Sequence, residues 1–231
     1  MAVSAYADRY RYWRLNAFKW RYELSIARKI ALALALAGLT GLMAQVRVHV
    51  PWTPVPITGQ TFAVLLCAVM LGKGYGGLSQ GLYVGIGAAG VPWFTGWQSG
   101  TAYLTGATGG YLIGFILAAL FLGYVTDKFV NSRRFVPMLG LMLFTNFVII
   151  HGIGLLWLST FAYENWLAGS TALGFGPYEG RGFLSLLMIG TIPFIVGDIT
   201  KAIVAAAITK GITPKEAYNG EVDAGRQWRI L

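Results

Sequence analysis

Two residues of opposite charge, Asp198 and Lys201, stand three positions apart in the strongly apolar segment 193–207. A charge at membrane depth costs at least about 2.5 kcal/mol, so it needs a partner. Residues three apart share one helix face. The two are therefore either a self-neutralising structural pair or a ligand site that offers an acceptor and a donor. Pro193 and Gly197 loosen the backbone before Asp198 and favour its deep placement.

Uncharged polar residues also stand in apolar surroundings and are candidates for the same site. Asn146 either bonds to a neighbouring helix or faces a ligand. His151 follows five residues later, on a different face of an α-helix, and is expected to be a structural donor. Gln60 and Tyr83 stand in two further apolar stretches and are candidates of the same kind as Asn146.

Motifs for catalysis and nucleotide binding are missing from the sequence. It has no HExxH, GxSxG or phosphate-loop pattern. Cys67 is the single cysteine, so it cannot form an intrachain disulfide, and no metal-ligand spacing surrounds it. We therefore expect neither an enzyme nor a metal site, and no binding of ATP by the chain itself.

The composition indicates that these polar residues are held by membrane helices. Of 231 residues, 56% are apolar and 12% charged, and the net charge is +9. Ordinary soluble domains have about 25% charged residues, and disordered chains are polar. A nucleic-acid-binding protein would share the basic charge but not the apolar core. The sequence predicts an integral membrane protein with basic ends.

Six apolar stretches divide the chain, and we interpret each as a transmembrane helix in an all-α fold. A helix needs about 20 residues to cross the hydrocarbon, and the second and third stretches are shorter than that. The predicted organisation is a basic aromatic segment 1–29, a six-helix domain 30–210 and a tail 211–231. The stretches lie near 27–46, 58–72, 75–90, 108–126, 135–160 and 183–209.

The distribution of cations favours an even number of spans. Seven of the 18 Lys and Arg residues lie in the first 29 residues, and most others fall in the even-numbered links and the C-terminal tail. With both ends on one side, the opposite side holds only Arg47 and Arg181. The positive-inside rule then places both termini in the cytoplasm of a multi-pass protein of the cell membrane.

The N-terminal segment 1–29 mixes its cations with Tyr and Trp. It is too long and too aromatic for a signal peptide. An interfacial helix on anionic lipid fits this composition, and a solvated basic leader is the alternative.

Three long links on the outer side carry aromatic residues among Gly and Pro, including Trp52 and Trp93. They are either an aromatic belt at the membrane interface or the cover of an outward-opening pocket. In the first span, Ala33 and Ala37 form a ridge of small residues, which suits either internal packing or an external partner helix.

The stretch VPWTPVPITGQTFAVLLCAVMLGKGYGGLSQGLYVGIGAAGVPWF resembles the BioY family, the biotin-binding S components of energy-coupling factor (ECF) transporters. The similarity continues through GATGGYLIGF and GDITKAIVAA and covers most of residues 30–210. Gly59 departs from the family, where a larger apolar residue is common, and so does Ala107, where proline is common. The resemblance implies the six-helix S-component fold with cytoplasmic termini.

The same resemblance implies high-affinity capture of biotin for uptake. Asp198 would accept from the ureido N–H groups, Lys201 would neutralise it or meet a ligand oxygen, and Asn146 would complete these contacts. Aromatic residues would wall the ring, and Arg47 or Arg181 would reach the carboxylate. The expected substrate-binding residues are Asp198, Lys201, Asn146, Tyr83, Tyr111, Gln60, Trp52, Trp93 and Arg47.

The implied partners are a transmembrane T component, docked on the ridge of Ala33 and Ala37, and two ATPase subunits that supply the ATP chemistry. A solitary or oligomeric protein is the alternative. An S component for another vitamin and a membrane scaffold that binds no small molecule are competing functions.

Overall fold

The computed structural model describes residues 2–167 and 183–215. These residues form α-helices and one antiparallel strand pair, in which Arg47 faces Thr58 and Val48 faces Ile57. The elements in chain order are α1 (Ala2–Glu23), α2 (Ile26–Gln45), β1 (Arg47–Val48), β2 (Ile57–Thr58), α3 (Gln60–Ala88), α4 (Thr101–Leu104), α5 (Gly109–Lys128), α6 (Phe135–Phe144), α7 (His151–Leu167), α8 (Phe183–Gly190) and α9 (Ile195–Ile212).

Five helical segments of the described chain are long and apolar enough to cross a membrane. Two of them combine elements, because α6 continues into α7 and α8 continues into α9. The prediction of a mostly helical protein with several apolar segments long enough to cross a membrane is confirmed at this level. The segments are Ile26–Gln45, Gln60–Ala88, Gly109–Lys128, Phe135–Thr160 and Phe183–Ile212.

Helix α3 reverses direction in its middle, at Gly72. This residue has φ +74° and ψ −174°, which no helix contains. The Gln60 Nε2 atom donates to the Tyr83 hydroxyl at 2.8 Å, whereas a straight helix would separate residues 23 apart by about 35 Å. The halves 60–71 and 73–88 therefore run antiparallel and match the second and third apolar stretches of the sequence.

The reversal is held by the end of α5. The Lys73 backbone N–H donates to Asp127 Oδ2 at 3.0 Å. A Cβ atom at Gly72 would collide with the Asp127 carboxylate, and one at Gly123 would collide with the backbone at Gly72. Glycine is required at both positions because the backbones approach so closely.

The bundle has two chemically different ends. The Arg47 end contains the β1–β2 hairpin and the link 89–108, and the Lys73 end contains the Gly72 turn and the last turns of α5 and α9. Helix α1 lies at the Lys73 end, where Tyr10 donates to the Gly211 carbonyl at 2.6 Å and Arg21 pairs with Asp127.

The structure corrects the prediction that Ala33 and Ala37 form an external docking surface. Both side chains are fully buried. Helix α2 packs on α3 along this ridge, where Gln80 Nε2 donates to Thr40 Oγ1 at 3.3 Å. Small side chains let the two helices approach closely, so the ridge serves internal packing.

Candidate functional site

Asp198 is the centre of a buried polar cluster. Its Oδ1 atom lies 2.5 Å from Lys201 Nζ and 3.3 Å from the Thr61 hydroxyl. Its Oδ2 atom accepts from Asn146 Nδ2 at 2.7 Å and lies 2.9 Å from His151 Nε2. A carboxylate has about four acceptor positions, so the protein already occupies all of them.

Two breaks in helix geometry bring these groups together. A 3-10 turn, Ile192–Phe194, separates α8 from α9 and contains Pro193. Asp198 consequently lies in the first turn of α9. The positive end of the helix dipole stabilises a carboxylate there.

The second break is a π-helical turn, Thr145–Ile150, between α6 and α7. In a turn with i→i+5 hydrogen bonds, residues five apart lie on one face. Asn146 and His151 therefore both reach Asp198 Oδ2. The prediction that His151 lies on a different face from Asn146 was wrong, because it assumed an uninterrupted α-helix.

His151 is held from both sides of its ring. Its Nδ1 atom lies 3.0 Å from the Gly190 carbonyl oxygen and 3.3 Å from the Thr191 hydroxyl. Its Nε2 atom faces Asp198, and the ring packs edge-on against Tyr111 with centroids 5.6 Å apart. His151 thus ties the end of α8 to the Asp198 cluster.

Lys201 retains one hydrogen-bond donor that no described partner uses. Besides Asp198, its Nζ atom donates to the Thr58 carbonyl at 2.8 Å. An ammonium has three donors. The third is available to a molecule in the adjoining cavity.

This inner cavity lies beside Asp198 and Lys201 and has a volume of about 40 Å³, room for a few water molecules. Tyr111 and Phe115 from α5 form one wall. Gln60 stands at another, where its Oε1 atom accepts from Thr58 at 2.8 Å and from Thr95 at 3.3 Å. The walls are thus mainly apolar with a few placed polar groups, as in small-molecule sites.

A larger outer cavity of about 590 Å³ opens at the Arg47 end. Arg47 and His49 line it. The residues that line both cavities form the partition between them, and they are Pro56, Thr95, Tyr103 and Thr108. Tyr103 stacks on Phe94 with ring centroids 4.8 Å apart.

The structure divides the predicted site residues into three groups, which line the inner cavity, the outer cavity or neither. Asp198, Lys201, Gln60 and Tyr111 line the inner cavity, and Arg47 lines the outer one. The other predicted residues do not line either cavity, and they are Asn146, Tyr83, Trp52 and Trp93.

The contacts and burial of these four residues explain why they do not line a cavity. Asn146 is buried and donates to Asp198 Oδ2. Tyr83 is fully buried and bonded to Gln60. Trp93 packs on Tyr83, and its indole N–H donates to the Tyr83 carbonyl at 2.9 Å. Trp52 is 44% exposed. In this structure Tyr83, Trp52 and Trp93 do not line the cavities, and their contact with a ligand stays a prediction. Arg181, the alternative to Arg47, lies outside the described residues.

Several residues of the site were not selected from the sequence. Thr58 and Thr61 stand in the ITGQT segment whose glutamine was selected, so their spacing was a usable signal. Tyr103, Thr108 and Phe194 come from links and breaks whose paths sequence patterns do not fix.

Comparison with known proteins gives a consistent result. A "Probable biotin transporter BioY" from Methanothermobacter thermautotrophicus is 48% identical over 167 residues, which is 71% of this chain and 99% of that protein. The "Biotin transporter BioY" of Thermotoga maritima is 35% identical over 161 residues, 70% of this chain and 82% of that one.

A solved structure has the same fold. It is the crystal structure of the S-component for biotin from an ECF-type ABC transporter, with a TM-score of 0.67 and 21% identity. The match covers 81% of this chain and 93% of that one. The sequence profile of the BioY family matches residues 14–217, and this multi-pass membrane protein therefore belongs to the BioY family.

Proposed function

We propose that this protein binds biotin at the Arg47 end and serves as the substrate-specific subunit of a biotin uptake system. The observation that carries the proposal is the buried Asp198–Lys201 cluster, which adjoins the inner cavity and is separated by the Tyr103 partition from the outer cavity at the Arg47 end. The names of its relatives and of its structural neighbour support biotin as the ligand.

The contacts of Lys201 suggest how the ureido ring is recognised. The spare Nζ donor suits the ureido carbonyl oxygen. Such a bond is charge-assisted and therefore stronger than one between neutral groups. The apolar thiophane ring then lies against Tyr111 and Phe115, which line the same cavity.

Asp198 accepts a ureido N–H only after one of its present donors has moved. The Thr61 hydroxyl is the most easily displaced, because its 3.3 Å bond is the longest of the four. Displacement leaves Lys201, Asn146 and His151 in place, so the carboxylate stays fixed in orientation.

The inner cavity must enlarge to admit biotin, since about 40 Å³ holds only a few waters. Movement of Tyr103 and its neighbours in the partition would join the two cavities. Biotin's carboxylate would then extend into the outer cavity, which Arg47 lines.

We further propose six membrane crossings with both termini in the cytoplasm of the cell membrane. The antiparallel halves of α3 supply two crossings, and the other four long segments supply one each. This places Lys73, Lys128 and Lys210 on the cytoplasmic side, in accord with the positive-inside rule.

In this proposal the chain binds and releases biotin but does not catalyse a reaction. ATP is consumed by separate ATPase subunits, joined through a transmembrane T component. The structural neighbour's membership of an ECF-type transporter supports these partners.

A vitamin panel tests the ligand. A ligand that binds only the folded state raises the melting temperature. We expect biotin to raise that of the purified chain in detergent, and thiamine, riboflavin and folate to leave it unchanged. Stabilisation by another vitamin alone would reassign the substrate, and stabilisation by none would favour the scaffold.

A further inference from the structure

Helix α1 carries a stripe of largely exposed aromatic side chains, of which Tyr10 also contacts the bundle. Tyr6, Tyr10, Trp13 and Trp20 are 80%, 48%, 54% and 53% exposed. Their spacings of four, three and seven residues place them on a single stripe of the helix. Four exposed large aromatics on one stripe require an environment other than bulk water.

The contacts of α1 with the bundle determine its position along the axis of the transmembrane segments. Tyr10 bonds to Gly211 at the end of α9. Arg21 pairs with Asp127 at the end of α5 and donates to the Val69 carbonyl at 3.2 Å, just before the Gly72 turn. Three segment ends are thus contacted by one helix, so α1 lies across the Lys73 end, level with the ends of the spans.

The docked face of α1 is clearly defined. Arg14 and Phe18 are buried, and the Arg21 guanidinium lies 3.7 Å from the centre of the Phe18 ring. At 100° per residue, the aromatic stripe lies roughly 90° round the helix from this face. The stripe therefore points sideways, along the plane of the membrane surface.

The charges around α1 suit an anionic surface. Exposed cations dominate the described part of the Lys73 end, and they are Arg9, Arg11, Arg28, Lys73, Lys128, Arg134, Lys210 and Lys215. Lys73 and Lys128 also lie 5.2 and 5.4 Å from the centre of the Tyr124 ring. Tyr and Trp beside Lys and Arg are typical of the headgroup level of a membrane.

We infer that α1 is an interfacial helix whose aromatic stripe binds the headgroup layer of the surrounding membrane at the Lys73 end, with Arg9 and Arg11 on anionic phospholipid. Docking by Arg21 and Phe18 holds the helix against the bundle, and the stripe inserts beside it. Nothing in this inference depends on the ligand of the inner cavity, so the two proposals fail independently.

The test measures the environment of a fluorescent label on two faces of α1 in the full-length protein. Trp13→Cys places a label on the stripe, and Asn16→Cys places a matched label on an exposed position of the polar face. Cys67 is buried, so the unsubstituted chain is the labelling control. Tyr6→Cys is a second stripe position, and retention of the wild-type melting temperature identifies folded variants.

In nanodiscs with phosphatidylglycerol, we expect brominated lipid to quench the labels at 13 and 6 several-fold more than the label at 16. Aqueous iodide should show the reverse order. In phosphatidylcholine nanodiscs, or in the double variant Arg9→Gln/Arg11→Gln, the difference in quenching between positions 13 and 6 and position 16 should become smaller.

Equal quenching by iodide at 13, 6 and 16 would overturn the inference. Protection of 13 and 6 from both quenchers would also overturn it, because a protein surface would then cover the stripe. If the difference in quenching between position 16 and positions 13 and 6 is the same in phosphatidylglycerol and in phosphatidylcholine, anionic headgroups have no role in binding α1.

Discussion

The side chains around Asp198 form a saturated arrangement in which each donor has a defined place. Two oxygens accept from four groups on α3, the π-helical turn, α7 and α9. Burial of a charge is tolerated when it is paired and hydrogen-bonded in this way. Asp198 thus organises the site, and Lys201 is the member with a donor to spare.

Lys201→Met tests that spare donor. Methionine fills similar space but cannot donate, and hydrogen bonds to charged groups contribute roughly 1.5–3 kcal/mol. We expect biotin affinity to fall about tenfold or more. Lys210→Met, an exposed lysine at the end of the same helix, should bind as the wild type does. Equal affinity in the two variants would remove Lys201 from the ligand contacts.

Thr61→Val tests the displacement of the weakest donor. Because the proposed ligand replaces this hydroxyl, its loss should leave biotin affinity at or above the wild-type value. Thr200→Val, whose hydroxyl donates to its own helix at Val196, is the matched control. A marked loss of affinity in Thr61→Val alone would mean that this hydroxyl contacts the ligand itself.

Helices with a regular apolar pattern could be predicted from the sequence, and the turns that interrupt such helices could not. The apolar stretches predicted the positions of the long helical segments, and the two short stretches correspond to the halves of α3. The π-helical turn that carries Asn146 left no mark in the apolar pattern, so the pairing of Asn146 with His151 was missed. The ridge of Ala33 and Ala37 was visible, but a small-residue pattern does not tell which neighbour it packs against.

Gly72→Ala tests the turn that makes α3 a hairpin. The φ and ψ of Gly72 belong to a region essentially restricted to glycine, where other residues cost roughly 1–3 kcal/mol. The added methyl group also meets Asp127. We expect a lower melting temperature in detergent. Gly74→Ala, with no atom near its added Cβ, should melt like the wild type or higher, and equal melting of the two variants would contradict the hairpin turn.

At the scale of the whole molecule, the chain presents two unlike ends. One combines Arg47 with the cavities, and the other gathers most exposed cations and α1. The uneven distribution of cations is visible in the sequence, and the positive-inside rule predicts the orientation from it. The closed partition at Tyr103 was beyond sequence reasoning, because it depends on how the links fold over the bundle.

Cysteine labelling in intact cells tests the orientation. Gln98→Cys lies exposed at the Arg47 end, and Lys128→Cys lies exposed at the Lys73 end. A membrane-impermeant maleimide should label position 98 in intact cells and position 128 only after permeabilisation. The reverse order would invert the topology.

The central claim is that the Asp198 cluster binds biotin, and equilibrium binding of radiolabelled biotin to the purified protein tests it most directly. The wild type should bind, Asp198→Asn should lose about tenfold or more in affinity, and Asp127→Asn at the Lys73 end should retain it. Binding that is unchanged in Asp198→Asn, or absent from the wild type, would contradict the account.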